Sequence, residues 1–563
     1  MRILGRNVRL KPPITSNKYR ASYSNLNLPA ELPAATVWSL RVRVLNQTDW
    51  VWLRRHPEGK NVDLTVWIDG RLAATQAMPV DELHPGEAAD FRFALQIPAG
   101  NGSVDIVLDM IEQNVTRFCD QGGAPCKVRV KLFVAPVSVG AALQEKANRL
   151  CPWSYQPTGG LQLGAYGAQY PLFVERAVGC HFWDTENRCY IDYVMGWGCA
   201  LLGYAEPRIQ EAVCQVLGSG SVVPLPHRLE VEVAEMVSED IPSAERIIFG
   251  KNGSDVCTVA ARIARVYTGR RVILYCGYHG WQDWWVEQVG FANCGVPDRD
   301  SPLLIRFKFN NREDFLRLYE LHHRDLAAIM LEPSGPAEGL QGDPQDADSA
   351  FLKLLSTSAR DAGALLIFDE IMTGFRYPGG SVQAATGVIP DLTCLGKALG
   401  AGMPISALAG NAAIMESAMH RTHYGPTFKG EIYSLAAARA ALTIYRNEPV
   451  AQHVTEHGTK LRDGINRLCS ELGMNARCVG PAFRTTLVFD DDGIPRVRMK
   501  RTLYFQELLK LGIMTYNGFM LPSYAHGDSV LSSLLECVGA ALEIVRNADQ
   551  RGTLDQLIEI PLL

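Results

Sequence analysis

Hydrophobic periodicity changes once along this chain, and the change sets what it can fold into. From about Val37 to Val134 apolar and polar residues alternate, as in Arg41-Val-Arg-Val, Val62-Asp-Leu-Thr-Val-Trp-Ile, Phe91-Arg-Phe-Ala-Leu and Lys127-Val-Arg-Val-Lys-Leu-Phe. A period of two belongs to strands with one buried face. Turn signals at Asp69-Gly70, Pro85-Gly86 and Pro98-Ala-Gly-Asn-Gly102 separate the runs, and no long helical pattern interrupts them. An antiparallel β-sandwich is expected. After Pro136, a stretch with Pro, Gly and Tyr from Cys151 to Gly167 leads into short continuous apolar runs. These are Arg246-Ile-Ile-Phe-Gly, Val272-Ile-Leu-Tyr, Ala327-Ala-Ile-Met-Leu and Ala364-Leu-Leu-Ile-Phe. Strands covered on both faces of a parallel sheet read this way. Helical segments from Val256 to Tyr267 and from Ala350 to Ala362 lie between them, which predicts a doubly wound α/β domain. The tail, Pro449 to Leu563, mixes amphipathic helices with a few strands and reads as a smaller α+β domain. The expected division is 1–140 for the sandwich, 141–215 for a linker and the first part of the small domain, 216–448 for the large domain, and 449–563 for the rest of the small domain.

With 563 residues, 47% hydrophobic and 20% charged, the chain has the composition of a globular multi-domain protein. A formal net charge of −5 gives no pull toward nucleic acid or anionic membrane. The first twenty residues lack an apolar core segment and no run of 18 apolar residues follows, so a cytoplasmic location is expected. Fourteen cysteines without CxxC pairs argue against a structural metal site. Cys119 and Cys126 alone invite a disulfide or metal reading, with free thiols favoured.

In open α/β sheets ligands bind beyond the carboxyl ends of the strands, so the residues after each apolar run carry the chemistry. Ala364 to Phe368 ends in the carboxylate pair Asp369-Glu370, and Asp369 suits the ring nitrogen of a bound cofactor. In Asp391-Leu-Thr-Cys-Leu-Gly-Lys-Ala-Leu-Gly-Ala-Gly-Met-Pro, Lys397 is framed by small residues that let a flat ring approach, and apolar surroundings favour its neutral, nucleophilic amine. Gly250-Lys-Asn-Gly-Ser-Asp opens a helix, so Gly253 and Ser254 offer an anion site fit for a phosphate ester. Cys276-Gly-Tyr-His-Gly-Trp places Tyr278 where an aromatic could stack on a ring. Each residue also has a plainer reading. Asp369 could be a loop carboxylate, Lys397 a solvated lysine, Gly253-Ser254 a capping turn and Tyr278 core.

The order and spacing of these motifs resemble class III aminotransferases, which are pyridoxal-phosphate enzymes, and most of all the glutamate-1-semialdehyde 2,1-aminomutase branch. The likeness runs from about Gly159 to the C-terminus. It is carried by Leu366-Ile-Phe-Asp-Glu-Ile-Met-Thr-Gly-Phe-Arg, by Pro390 to Pro404, by Ala264-Arg-Val-Tyr-Thr-Gly-Arg and by Tyr190-Ile-Asp-Tyr-Val-Met-Gly-Trp-Gly. The resemblance implies a fold type I enzyme, normally a homodimer, with Lys397 holding the cofactor as a Schiff base and shuttling protons. It implies Asp369 as the ring-nitrogen partner, Tyr278 as the stacking aromatic, Gly253 with Ser254 as the phosphate cup and Glu332 near the cofactor. Thr427, in Gly425-Pro-Thr-Phe-Lys-Gly, would reach the neighbouring subunit's cofactor phosphate, and Trp197 would wall the substrate pocket. No step falls to His279.

Departures from the pattern bear on the substrate. The aminomutase branch carries an arginine before the Pro-Leu-Phe strand, where this chain reads Gly159-Gly-Leu-Gln-Leu-Gly-Ala-Tyr-Gly-Ala, with Tyr166 near that place. Its asparagine after the Glu-Pro motif is replaced in Glu332-Pro-Ser-Gly-Pro. These features lead to a transaminase that takes an amino group from an amino acid, glutamate first, to a neutral carbonyl acceptor such as an amino-sugar precursor. An intramolecular 2,1-aminomutase is the enzymatic alternative, and a carbohydrate-binding or scaffold protein with a decayed enzyme domain the non-enzymatic one. The front domain is loosely similar to immunoglobulin-like modules of polysaccharide-handling proteins, and Trp50, Trp52 and Trp67 could form a sugar-stacking face or belong to its core. A protein partner for it is equally open.

Overall fold

The structure is a computed structural model and describes residues 17–26, 28, 30–33, 37–98, 102–133, 139–151, 170–282, 285, 303–335, 344–490, 493–515, 518–560 and 562. The chain divides into two compact units, Met1–Ser138 and Val139–Leu563.

The first unit is a β-sandwich. One sheet pairs Ala21–Ser24, Val37–Asn46 and Ala88–Gln96. The other runs in the order Glu31–Pro33, Cys126–Phe133, Gly102–Glu112, Val62–Ile68 and Arg71–Ala77, with Thr116–Arg117 paired to Gly102–Glu112. All pairings are antiparallel except that of Glu31–Pro33 with Cys126–Phe133. Alternation does here what the sequence predicts: Leu40, Val42, Val44 and Phe91 from one sheet share a core with Leu64, Val66, Ile106 and Leu108 from the other.

The three tryptophans do not make one exposed face. Trp52 is sealed in the core, its indole N–H donating to the Thr48 hydroxyl at 3.0 Å. Trp50 is half-buried and donates to the Lys18 carbonyl at 2.6 Å. Trp67 is half-buried beneath the Arg117 guanidinium, 4.2 Å from its ring centre. Indole burial and cation–π contact take up the surfaces a sugar would need. Cys119 and Cys126 are free thiols, both half-buried.

The second unit is built on a seven-stranded sheet. Its spatial order is Arg246–Gly250, Ser406–Gly410, Leu392–Leu395, Leu365–Asp369, Leu326–Leu331, Val272–Cys276 and Leu304–Arg306. Six strands run in one direction, and Ser406–Gly410 alone of the seven runs against them, antiparallel to both its neighbours. The helices Gly253–Thr268 and Ser349–Ala362 bury apolar stripes against this sheet.

The remainder draws on both ends of the unit. Cys189–Asp192, in the sheet with Val174–Val178 and His181–Asp184, pairs in parallel with Ile513–Met514. A second small sheet joins Ala476–Val479, Thr485–Phe489 and Phe519–Met520 under the helices Val450–Glu471, Ile494–Lys510 and Asp528–Arg551. Among the described residues, no helix is long and apolar enough to cross a membrane.

Neutral histidines tie these segments together. His526 Nδ1 accepts from the Ser523 N–H at 3.0 Å and its Nε2 donates to the Asp192 carbonyl at 3.1 Å. The Tyr193 hydroxyl lies 3.0 Å from His457 Nε2. Burial, then neighbouring histidines, lowers the pKa of His526 to about 3 and of His457 to about 4, from an ordinary 6.5. The unfolded chain therefore takes up protons first as pH falls, so stability held above pH 6.5 is lost toward about 4 and then 3. Denaturant titrations between neutral pH and the low end of that window should show stability falling, with a shallower fall for His457→Gln. A slope identical in the two proteins would contradict the assignment.

Candidate active site

Five strands of the sheet lead into the site, and the residues at and just past their ends build it. Leu365–Asp369 is buried along its length and closes on Asp369, 2% exposed. The Asp369 Oδ2 atom accepts from His279 Nδ1 at 2.7 Å and from the Cys257 thiol at 3.4 Å, and Oδ1 accepts from the Ile371 N–H at 3.1 Å. Burial opposes a charge on His279, but the hydrogen bonds and charges of Asp369 and Cys257 outweigh it, and its pKa is pushed up to about 10. The imidazolium is the counter-charge of a carboxylate that water does not reach. Ligand atoms of Cys257, His279 and Asp369 lie within 4.8 Å of one another, and these internal bonds account for their closeness.

Glu370 does not share the mouth of the strand. Its oxygens accept from the Val382 N–H at 2.8 Å, from the Gln383 N–H and side chain at 3.3 and 3.1 Å, and from the Thr373 hydroxyl at 3.0 Å. It satisfies the first turn of the helix Val382–Thr386, whose N–H groups have no partner within the helix. The expected pair is thus one site carboxylate and one helix anchor.

Leu392–Leu395 delivers Lys397, which sits at φ 44, in the left-handed region. The residue keeps some access to the cleft while its amine is enclosed; burial, and then the charge of Arg376, lowers its pKa, against Cys199, Glu332 and Asp369. A solvated lysine is ruled out. Arg376 is itself buried, donating to the Met372 carbonyl at 2.8 Å, the Gly374 carbonyl at 3.4 Å and the Gly198 carbonyl. Burial takes its pKa down to about 10.

Opposite lies an unusual wall. Met195, Gly196, Trp197 and Gly198 have φ of 49, 58, 53 and 80, one turn of left-handed helix closed by Gly198 N–H to Val194 O at 3.1 Å. For non-glycine residues this conformation costs roughly 1–2 kcal/mol each. Asp192 holds one end, accepting from the Val194 N–H and the Tyr204 hydroxyl, each at 2.6 Å; Arg376 holds the other at Gly198. Trp197 is presented half-buried. Tyr166 lies outside the described residues.

Arg246–Gly250 leads into the helix Gly253–Thr268, where Asn252 and Asp255 cap each other's backbone. A Cβ on Gly253 would lie 2.5 Å from Ile371 Cδ1 and would push that side chain's end aside, whereas one on Gly280, at φ 120, would lie 2.3 Å from Ser254 Cβ and 2.8 Å from its Cα, an approach only glycine allows. The Tyr278 N–H donates to Glu332 Oε2 at 3.0 Å, and its side chain is 56% exposed, which excludes the core reading. Glu332 follows Leu326–Leu331 and is buried. Thr427 is exposed, and among the described residues it hydrogen-bonds none of the others named.

Several residues of the site escaped sequence reasoning. His279 stands beside Tyr278 in its motif, but its pairing with Asp369 spans 90 positions. Arg376 closes the Thr-Gly-Phe-Arg motif, and Cys199 follows the Trp197 turn.

An enclosed amine that disfavours charge, a carboxylate backed by imidazolium and a glycine-lined helix start, gathered at strand ends, fit pyridoxal phosphate and define a fold type I transferase. The family model for class-III aminotransferases matches residues 164–480, and the chain belongs to that family. It is 34% identical over 317 residues to the glutamate-1-semialdehyde 2,1-aminomutase of Akkermansia muciniphila, covering 54% of this chain and 74% of the relative. It is 29% identical over 385 residues to a 3-aminobutyryl-CoA aminotransferase of Cloacimonas acidaminovorans, covering 67% and 90%. Among solved structures, the PLP internal aldimine form of Sphingopyxis sp. MTA144 FumI protein superposes with a TM-score of 0.66 at 28% identity, over 73% of this chain and 97% of that one. The cofactor is pyridoxal 5′-phosphate.

His279→Gln should weaken cofactor retention about tenfold or more, because it leaves a buried carboxylate without its charged partner. Glu370→Gln should lower stability with far less effect on retention. Equilibrium dialysis of both variants checks this, and equal losses would refute the division of roles.

Proposed function

We propose that the protein is a transaminase that carries an amino group from an amino-acid donor, glutamate first, to a carbonyl acceptor that lacks a strong charge, of the kind used in amino-sugar or secondary-metabolite synthesis. The observation that carries the reading is the enclosed Lys397 amine beside the Asp369–His279 pair. When bound, pyridoxal phosphate supplies the electron sink that stabilises a carbanion at the substrate carbon. Lys397 Nζ would anchor the cofactor and, its charge disfavoured by burial, would take and return the proton at that carbon. Asp369, paired with His279, would face the ring nitrogen and favour its protonated form. Gly253 and Ser254 at the helix start would receive the phosphate, and Tyr278 would cover the ring. Trp197 bounds the pocket and limits access of water.

A second copy of the chain completes the site in this reading. Thr427 and Phe428 are exposed on the loop before Ile432–Asn447, Phe428 by 55%, and Leu225 by 76%. Apolar residues this open are supported as the surface of a homodimer, with Thr427 crossing to the neighbouring phosphate. A cytoplasmic location fits the same chemistry.

The absence of arginine from Gly159 to Ala168 favours transamination. The likeness to glutamate-1-semialdehyde aminomutases favours an intramolecular transfer instead. Dependence on an external donor separates them. Holoenzyme mixed with single amino acids should lose the visible band of its lysine-linked cofactor, and adding neutral ketones or keto-sugars should restore it. Isomerisation of one substrate with no donor requirement would sink the transaminase reading.

A further inference from the structure

Asp369 meets three protein donors among the described residues, and they do not fill it. His279 Nδ1 and the Cys257 thiol share Oδ2, at 2.7 and 3.4 Å, and the Ile371 N–H takes Oδ1 at 3.1 Å. An ionised carboxylate offers about four lone-pair sites, so the one left over lies on Oδ1. His279 is committed to the pair, its Nε2 buried with no partner among the described residues. Cys257 reaches the same oxygen from the helix Gly253–Thr268, where it is fully buried. Cys394, opposite Asp369 in the strand pairing, is sealed beside them. Burial first, then Cys394 and the charge of Asp369, push the Cys257 thiol well above its ordinary range, so it keeps its proton and donates it to the carboxylate.

A buried cysteine is commonly a small apolar filler. This sulfur lies against a charged oxygen, which gives it a second effect. Each hydrogen bond donated to an ionised carboxylate favours that form over the protonated one. In a buried pair that shares a single proton, donors on the carboxylate therefore leave the proton with its partner. We propose that Cys257 is a positioning residue which, through Asp369, keeps that shared proton on the ring nitrogen of the cofactor. The proposal rests on reading Asp369 as the ring-nitrogen partner. A thiol is a weak donor, so Cys257 makes a fine adjustment on top of the His279 pair, and a hydroxyl in its place would strengthen it. A protonated ring is the better electron sink, so residue 257 adjusts the cofactor's reactivity without touching substrate.

The test uses holoenzyme of the wild type, Cys257→Ser, Cys257→Ala, Cys257→Val and Asp369→Asn, each loaded with pyridoxal phosphate isotope-labelled at the ring nitrogen. The nitrogen shift is read by NMR at one pH. Cys257→Ala and Cys257→Val lose the donor and should both move the signal toward that of the unprotonated ring. Cys257→Ser keeps a donor and should hold the signal at the wild-type position or further toward the protonated form. Valine fills the space that alanine leaves, so a shift common to both is not the effect of a cavity, and either one carries the comparison if the other fails to load. A signal unmoved by alanine and valine, or moved as far by serine, overturns the role of Cys257; if Asp369→Asn still moves it, the reading of Asp369 survives. An unprotonated ring in the wild type, or a signal that Asp369→Asn leaves unchanged, overturns that reading and the proposal with it.

Discussion

A carboxylate 2% exposed, at the end of a strand buried on both faces, needs a positive partner to remain charged. His279 is that partner, and much of the large domain serves to bring the two together. The loop after Val272–Cys276 turns through Gly277 and Gly280 so that the imidazole reaches past Leu326–Leu331 to the end of Leu365–Asp369, and Gly280 closes onto Ser254 at the start of the preceding helix. Cys257, one turn into that helix, touches the same carboxylate oxygen. Asp369, the Tyr278–His279 loop and the helix start at Gly253–Ser254 are therefore one packed unit, and a disturbance at any of them reaches the others.

Much of this was legible in sequence because burial leaves a direct trace. Continuous apolar runs marked the strands Arg246–Gly250, Val272–Cys276, Leu326–Leu331 and Leu365–Asp369, and two-residue alternation marked the sandwich. Ser406–Gly410 was not legible as an antiparallel strand, because a buried strand reads the same in either direction. Glu370 lies one position past the end of Leu365–Asp369 and turns to the helix Val382–Thr386, so a carboxylate pair in sequence is not a pair in space. Trp52 lay in an alternating stretch whose register only the pairing of the strands decides. The partners of Asp369 and Glu332 were hidden for a different reason: they come from elements far apart in the chain, which no local pattern connects.

The charge of the cleft also differs from what composition suggests. The segments that lack expected charged residues, around Tyr166 and after Glu332, gave the impression of a nearly neutral pocket. Arg376 and Arg484 restore positive charge from elsewhere. Arg376 acts on Lys397 while its own donors are satisfied by carbonyls, and Arg484 comes from the C-terminal part of the unit and meets Glu332. The two parts of the second unit thus meet through charge as well as through the pairing of Cys189–Asp192 with Ile513–Met514.

The left-handed turn from Met195 to Gly198 limits how such a pocket can diversify. Its ends are fixed at Asp192 and at Arg376, and Asp192 is itself held by Tyr204. Adding or removing one residue between these posts would rotate every following side chain away from the cleft, so the length of the segment is fixed. Exchanges at Trp197 or Cys199 leave both posts in place, so they change the side chains the turn presents and not its length.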